Sequence, residues 1–214
     1  MQQIFLVRHG ETQWNAERRL QGQSNSPLTE LGQQQARRVG ERVAAYGITH
    51  IISSDLGRAK QTAEIIAEFT CCPVSTDSRL RELNMGVLET RKLNELSAEE
   101  EQWRHSLING SPQGRIPGGE SMSEAAQRMH QVLNACRELP RGSRVLLVSH
   151  GMALGTLINT LLGLPAWAER RIRLRNGSLS RIDYQQSPWL ADGWVVETAG
   201  DVSHLSLSSQ CDSQ

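Results

Sequence analysis

Along this chain, apolar runs of strand length alternate with segments whose apolar residues recur at helical spacing. Residues 3–8 (QIFLVR), 49–54 (THIISS) and 143–150 (SRVLLVSH) read as strands. The last is apolar without alternation, which suits burial on both faces of a sheet. PVST at 73–76 reads as a further short strand. Between the first two, TELGQQQARRVGERVAAY (29–46) puts Leu31, Val39 and Val43 on one helical face, with Ala36 and Ala44 beside it. A helix carrying Ala59, Ala63, Ile66 and Ala67 follows the second strand.

Two more helix starts are marked by capping-box spacing, Ser97 with Glu100 and Ser121 with Glu124. The second of these helices repeats Met122, Ala125, Met129, Val132 and Cys136 on one face, the pattern of a core stripe. MALGTLINTLL (152–162) predicts a helix ended by Gly163 and Pro165, and the segments 171–185 and 193–200 predict a hairpin and an edge strand.

Repeated strand–helix units imply an α/β fold: a three-layer sandwich with a mainly parallel central sheet and helices on both faces. Residues 85–120 break the rhythm with charge, Gly and Pro, and are expected to form a small cap insertion over one end of the sheet. Neither a linker nor an internal repeat interrupts the chain. The organisation expected is one catalytic domain over 1–205 with a flexible tail over 206–214.

Composition narrows the classes. The 214 residues hold 23 basic and 23 acidic side chains, so no global field argues for nucleic acid or an anionic membrane surface. Lys60 and Lys92 are the only lysines, and the other cations are arginines, whose planar fork suits oxyanions. Cys71, Cys72, Cys136 and Cys211 lack the spacing of a disulfide framework or a metal knuckle and read as idle thiols. The opening MQQIFLVRHG has too short an apolar run for a secretory signal, and no stretch approaches a membrane span. A cytoplasmic protein is expected.

Three strands end on polar residues that could converge: Arg8–His9, SSDLGR with Arg58, and His150. In open parallel sheets, ligands bind beyond the carboxyl ends of the strands, which puts these residues on one rim. Gly10 and Gly151 allow sharp turns there. Two arginines can clamp a phosphomonoester, and a neutral imidazole can attack its phosphorus while the other ring nitrogen donates to a backbone carbonyl. Glu82, in RLRELNMG, is one candidate among many for protonating the departing alkoxide. His150 alone is equally well read as a structural histidine. Two histidines and a glutamate could also bind zinc, but no H-x-H, H-E-x-x-H or paired-Cys spacing occurs, and Arg8 and Arg58 would repel a divalent cation. No metal and no P-loop is expected.

The stretches LVRHGETQWN (6–15), PLTELGQQQA (27–36), SSDLGRAKQTA (53–63), LRELNMGVLE (80–89) and LLVSHG (146–151) together resemble the histidine phosphatase superfamily, in its phosphoglycerate-mutase-like branch. The resemblance covers nearly the whole chain. It implies that His9 becomes phosphorylated, that Glu82 gives and takes the proton, and that His150 stabilises the transition state. It also implies phosphate contacts from Arg8, Asn15 and Arg58, and substrate contacts from Gln21, Gly22, Lys60, Leu83, Asn84, Met85, Gly151 and Met152. WRHS (103–106) resembles a W-R-R-S stretch of the mutases whose arginine pair binds the substrate carboxylate. Here Arg104 is kept and His105 replaces the second arginine, while Met85 stands where the family has tyrosine.

The leading expectation is therefore a phosphoglycerate mutase of glycolysis, primed by 2,3-bisphosphoglycerate, acting on a small phosphorylated metabolite. A phosphatase using the same residues is a near-equal alternative, and a phosphate-ligand sensor without turnover a remote one. Trp14 and Trp103 are expected at the pocket, and Trp167, Trp189 and Trp194 against the tail hairpin. In ERRIRLR (169–175), alternating arginines read as the exposed side of a strand. The sequence does not give the oligomeric state.

Overall fold

The structure, a computed structural model, describes residues 2–186, 188, 190 and 192–205. Six strands form one sheet: β1 (Gln2–Arg8), β2 (His50–Ser53), β3 (Val74–Thr76), β4 (Arg144–Ser149), β5 (Leu179–Tyr184) and β6 (Trp194–Asp201). Their order is β3-β2-β4-β1-β5-β6. The pairs β2–β3, β2–β4 and β1–β4 are parallel, and β5 and β6 join antiparallel beyond β1. The parallel core follows the sequence pattern, whereas the late hairpin is made by β5 with β6 and not within 171–185. β1 and β4 lie side by side at the centre, in register from Gln3–Arg144 to Arg8–Ser149.

Among the described residues six α-helices accompany the sheet: α1 (Gln13–Ala16), α2 (Glu30–Ala44), α3 (Gly57–Thr70), α4 (Ala98–Ile108), α5 (Met122–Arg137) and α6 (Gly151–Leu161). Strand side chains alternate between two cores. Phe5, Val7, Leu146 and Val148 pack against Val39 and Val43 of α2 and against Ala59, Ala63 and Ile66 of α3. Ile4, Leu6, Val145 and Leu147 face the other way, onto Met129, Val132 and Leu133 of α5 and Leu154, Leu157 and Ile158 of α6. This is the expected three-layer sandwich. On α2, Ala44 turns out to be exposed and Leu31 half-buried, while Gln35 is buried because its Oε1 accepts the Glu11 N–H at 2.8 Å.

Both predicted capping boxes form, Ser97 with Glu100 and Ser121 with Glu124. Thr29 caps α2 by a single side-chain bond, accepting from the Gly32 N–H. Residues 85–120 hold two 3-10 turns and α4, and build a third core in which Met85, Leu88, Leu107 and Ile116 meet Met122 and Ala125 of α5. Trp103 and Trp167 pack against this third core, so Trp167 does not belong to the tail hairpin; Trp194 does, beside Tyr184. Trp189 and residues 206–214 lie outside the described residues.

Residues 169–175 are irregular chain rather than the expected strand. The segment turns inward at Leu174, whose carbonyl accepts from Arg8 Nη1 at 2.6 Å, and that anchor keeps it out of the sheet. No helix among the described residues is long and apolar enough to cross a membrane.

Candidate active site

The site begins with register. Because β1 and β4 are parallel and Arg8 pairs with Ser149, the next residues, His9 and His150, emerge together at the carboxyl edge of the sheet. The His9 N–H donates to the Ser149 carbonyl at 3.0 Å and extends the ladder by one step. The two rings then meet edge to face, with centroids 5.1 Å apart.

The loop after His9 lies directly on the start of α2. A Cβ on Gly10 would fall 2.2 Å from the Gly32 carbonyl oxygen, and one on Gly32 would fall 2.0 Å from that of Glu11. Two glycines therefore permit a backbone contact that fixes the His9 turn. Thr12 caps α1 with Asn15 in a reciprocal box, and Asn15 Oδ1 also accepts from Asn176 Nδ2 at 3.3 Å.

His9 Nδ1 lies 2.7 Å from the Gly10 carbonyl oxygen. A carbonyl can only accept, so Nδ1 carries the proton and Nε2 is left with its lone pair. Arg58 Nε donates to that Nε2 at 3.3 Å. Burial, then the charges of Arg58 and Arg8, hold the His9 pKa well below its ordinary value, against the opposing pull of the Gly10 bond. The imidazole is neutral at neutral pH, the state a nucleophile requires.

Arg58 enters from the first turn of α3 and is almost fully buried. Its Nη1 donates to the Ser24 carbonyl at 2.7 Å and its Nη2 to the Gly22 carbonyl at 2.6 Å. Burial lowers its pKa to about 10, with Glu82 and Glu89 opposing, so it remains a cation. Three of its five N–H groups are engaged, which leaves two for a ligand.

Glu82 is oriented by three backbone donors. Its Oε1 accepts from Leu83 N and Ala153 N, each at 2.9 Å, and its Oε2 from Met152 N at 3.1 Å. The first turn of α6 thus clasps the carboxylate. Behind His9, the fully buried His150 has Nε2 at 2.8 Å from Ser54 Oγ, whereas its Nδ1 has no partner. Burial first, then Arg58, His9, Arg128 and Arg8, lower its pKa well below the ordinary value. Since Ser54 Oγ also accepts the Leu56 N–H at 3.3 Å, its own proton is available to His150 Nε2. That arrangement makes Nδ1–H the free donor.

His9, Arg58 and Glu82 face a cavity of about 270 Å³, whereas His150, fully buried behind His9, is not part of its wall. Of the residues expected from sequence, its wall takes Arg8, His9, Asn15, Gln21, Gly22 and Arg58 from one side. From the other come Glu82, Met85, Arg104, Gly151 and Met152. Gln21 is buried with its Oε1 unpartnered. A Cβ on Gly151 would come within 3.3 Å of Arg8 Nε, so glycine lets that guanidinium cross the start of α6.

Four expected contacts fall elsewhere. Lys60, two residues past Arg58, sits about 200° round the helix, exposed beside Glu64. Leu83 is fully buried in the cap core, where its apolar side chain belongs. Asn84 makes a turn instead, its Oδ1 accepting the Gly86 N–H at 2.8 Å. His105 is exposed on the outer face of α4, since Trp103, Arg104 and His105 succeed one another at 100° steps and only Arg104 reaches the cavity. Arg104 is held there by Glu101 at 2.8 Å.

The cavity also has residues that sequence reasoning missed: Arg18, Arg19 and Arg170, with Leu20, Leu93 and Ile108. Trp14 is there as expected, and Trp103 is not. None of the missed residues belongs to a motif, and Arg170 was assigned to a strand that does not form. In all, six arginines and one carboxylate line the space, a strongly anion-attracting balance.

Known proteins agree with this architecture. The chain is 70% identical over 205 residues to "Probable phosphoglycerate mutase GpmB" of Salmonella paratyphi B, covering 96% of this chain and 95% of that protein. Among solved structures it resembles Bacillus stearothermophilus YhfR, with a TM-score of 0.84 and 32% identity over 96% of this chain and all of that one. It also resembles the alpha-ribazole phosphatase from Shigella flexneri, with a TM-score of 0.81 and 27% identity over 93% of this chain and 96% of the other. The sequence signature of the histidine phosphatase superfamily (branch 1) matches residues 4–197, and the chain belongs to that superfamily.

Proposed function

We propose that this enzyme transfers the phosphoryl group of small phosphomonoesters through a phosphohistidine on His9. One observation carries the reading: the 2.7 Å bond from Nδ1 to the Gly10 carbonyl, which presents an unprotonated Nε2 in an arginine-lined cavity that also holds Glu82.

In the forward step Nε2 attacks phosphorus, the P–N bond forms and the P–O bond to the leaving group breaks. The departing oxygen takes its proton from the Glu82 carboxyl group. Arg8 and Arg58 hold the phosphoryl oxygens, and His150 Nδ1–H donates to one as charge develops. In the second step an acceptor O–H returns its proton to the Glu82 carboxylate and attacks phosphorus, and the P–N bond breaks.

The acceptor decides the product. The 70% identity to a protein named as a probable phosphoglycerate mutase supports a phosphoglycerate as substrate and acceptor, with 2,3-bisphosphoglycerate priming His9. A specific observation favours water instead. The expected carboxylate clamp is reduced to Arg104, itself paired with Glu101, because His105 faces away. The apolar wall of Trp14, Leu20, Leu93 and Ile108 further suits a larger substrate body.

The test is to incubate the pure protein with 3-phosphoglycerate, with and without 2,3-bisphosphoglycerate, and assay 2-phosphoglycerate and free phosphate. Isomer without phosphate supports the mutase, and phosphate alone the phosphatase. Neither product, across a panel of phosphomonoesters, would overturn phosphoryl transfer.

A further inference from the structure

We propose that Glu89 is a positioning residue for phosphoryl transfer, acting on Arg58 through the single peptide group that joins Gly22 to Gln23. The inference rests on His9 being the nucleophile, because Arg58 Nε is the group that faces His9 Nε2.

The carboxylate of Glu89 accepts four hydrogen bonds. Oε1 takes Gln23 N at 2.8 Å and Met85 N at 3.2 Å, and Oε2 takes Ser24 N at 2.9 Å and Ser24 Oγ at 2.6 Å. Among the described residues no Lys or Arg makes an ion pair with it. N–H and O–H groups satisfy this half-buried carboxylate without neutralising its charge, and that charge acts on the Arg58 guanidinium across the loop. The peptide carbonyl of Gly22 accepts from Arg58 Nη2 at 2.6 Å, while the N–H of the same peptide donates to Glu89. Ser24 is held from both sides too, though through successive peptide groups: its carbonyl accepts from Arg58 Nη1 and its N–H donates to Glu89. The loop is gripped alternately by a guanidinium on one side and a carboxylate on the other. Polarisation along such a chain strengthens each bond in it.

Gly22 gives an independent sign that this contact is built. Its φ is +51°, and a Cβ there would fall 2.3 Å from Glu89 Oε1. The loop therefore needs glycine partly because the carboxylate packs against it. Glu89 itself does not line the cavity, so it acts through Arg58 rather than on substrate. Three of the Arg58 donors are fixed at once, two by the loop and one by His9, and the remaining two are thereby aimed.

In Glu89→Gln one carboxylate oxygen becomes an NH2 group that must face N–H or O–H donors, either those of Gln23 and Met85 or those of Ser24. With p-nitrophenyl phosphate, kcat is expected to fall at least about tenfold with KM changed less than about threefold. In an Arg58→Lys background the same substitution should cost less than about twofold, because the fork it orients is gone. Equal costs in both backgrounds would overturn the proposal. Should Glu89→Gln fail to fold, Ser24→Ala, which removes one of the four bonds, replaces it in the same cycle, with an expected loss of about threefold.

A second arm needs no turnover. In nitrogen-15-labelled resting protein, solvent exchange of the Arg58 Nε–H should be at least about tenfold faster in the variant at an unchanged unfolding temperature. Unchanged exchange overturns the proposal whatever the activity. If the wild-type protein turns over no phosphomonoester while exchange does respond, the catalytic reading has failed and the Glu89–Arg58 linkage stands.

Discussion

The imidazoles of His9 and His150, each one residue past the end of adjacent parallel strands, meet with centroids 5.1 Å apart, and both are kept neutral by the same surroundings. Burial is the largest cause for each, and the guanidinium of Arg58 the next. A cluster of two histidines and two arginines would repel itself if the rings were charged. Neutral rings add no positive charge to that of the two arginines, which suits the phosphoryl group proposed for this site.

A pH dependence follows from this. In the unfolded chain each histidine takes up a proton near pH 6.5, whereas in the folded chain His9 and His150 do so only at much lower pH. The unfolded state therefore binds more protons below about pH 6.5, so stability is fully present above that pH and declines as pH falls. Each ring contributes up to about 1.4 kcal/mol per pH unit. His130 and His204, also lowered chiefly by burial, act in the same direction. The unfolding temperature should be flat from pH 8 to 7 and fall below pH 6.5, with a shallower fall in His9→Ala. The acid limb of kcat/KM should lie well below pH 6.5; a limb centred at 6.5 would mean that His9 titrates as a solvated ring.

Gly32→Ala tests the contact that sets the His9 turn. The new methyl would meet the Glu11 carbonyl oxygen at 2.0 Å, and backbone cannot move aside as a side chain can. Although alanine is the better helix former, the expected result is a loss of about 2 kcal/mol or more in denaturant unfolding, together with reduced activity. A stabilised, fully active variant would show that the loop has room to shift.

The rim was legible in the sequence because it follows from strand ends. Arg8–His9 and His150 close apolar runs, and parallel pairing of those runs is enough to bring them together. The cap was less legible. WRHS reads as one motif, yet successive helical residues point 100° apart, so Trp103 packs inward, Arg104 reaches the cavity and His105 faces out. Residues 169–175 alternate like a strand, but Leu174 is claimed by Arg8 and the segment stays irregular. Arg170 reaches the cavity from this irregular segment, a placement that no local pattern encodes.

These placements separate residues that sequence alone groups together. Lys60→Ala and His105→Ala should leave kcat/KM within about twofold of wild type, since one pairs with Glu64 on an exposed face and the other sits outside the cavity. Arg170→Ala should raise KM several-fold for a substrate with a second anionic group and have little effect on p-nitrophenyl phosphate, because it lines the cavity but takes no part in the hydrogen bonds of His9, Arg58 or Glu82 among the described residues. Steady-state kinetics on the two substrates would decide. A large effect of His105→Ala on 3-phosphoglycerate would contradict the outward placement.

Glu82→Gln examines the proton. Leaving groups differ in their need for one: an alkoxide departs only when protonated, whereas p-nitrophenolate leaves unaided. The variant keeps the size of the side chain but cannot give or retrieve a proton. Hydrolysis or isomerisation of alkyl phosphates should therefore slow by about 100- to 10,000-fold, and p-nitrophenyl phosphate by less than about tenfold. The amide will also disturb the grip of α6, because both carboxylate oxygens accept backbone N–H groups and one would become a donor. That second effect is blind to the leaving group. Equal losses on alkyl and aryl substrates would thus assign Glu82 to holding the start of α6 and remove it from proton transfer.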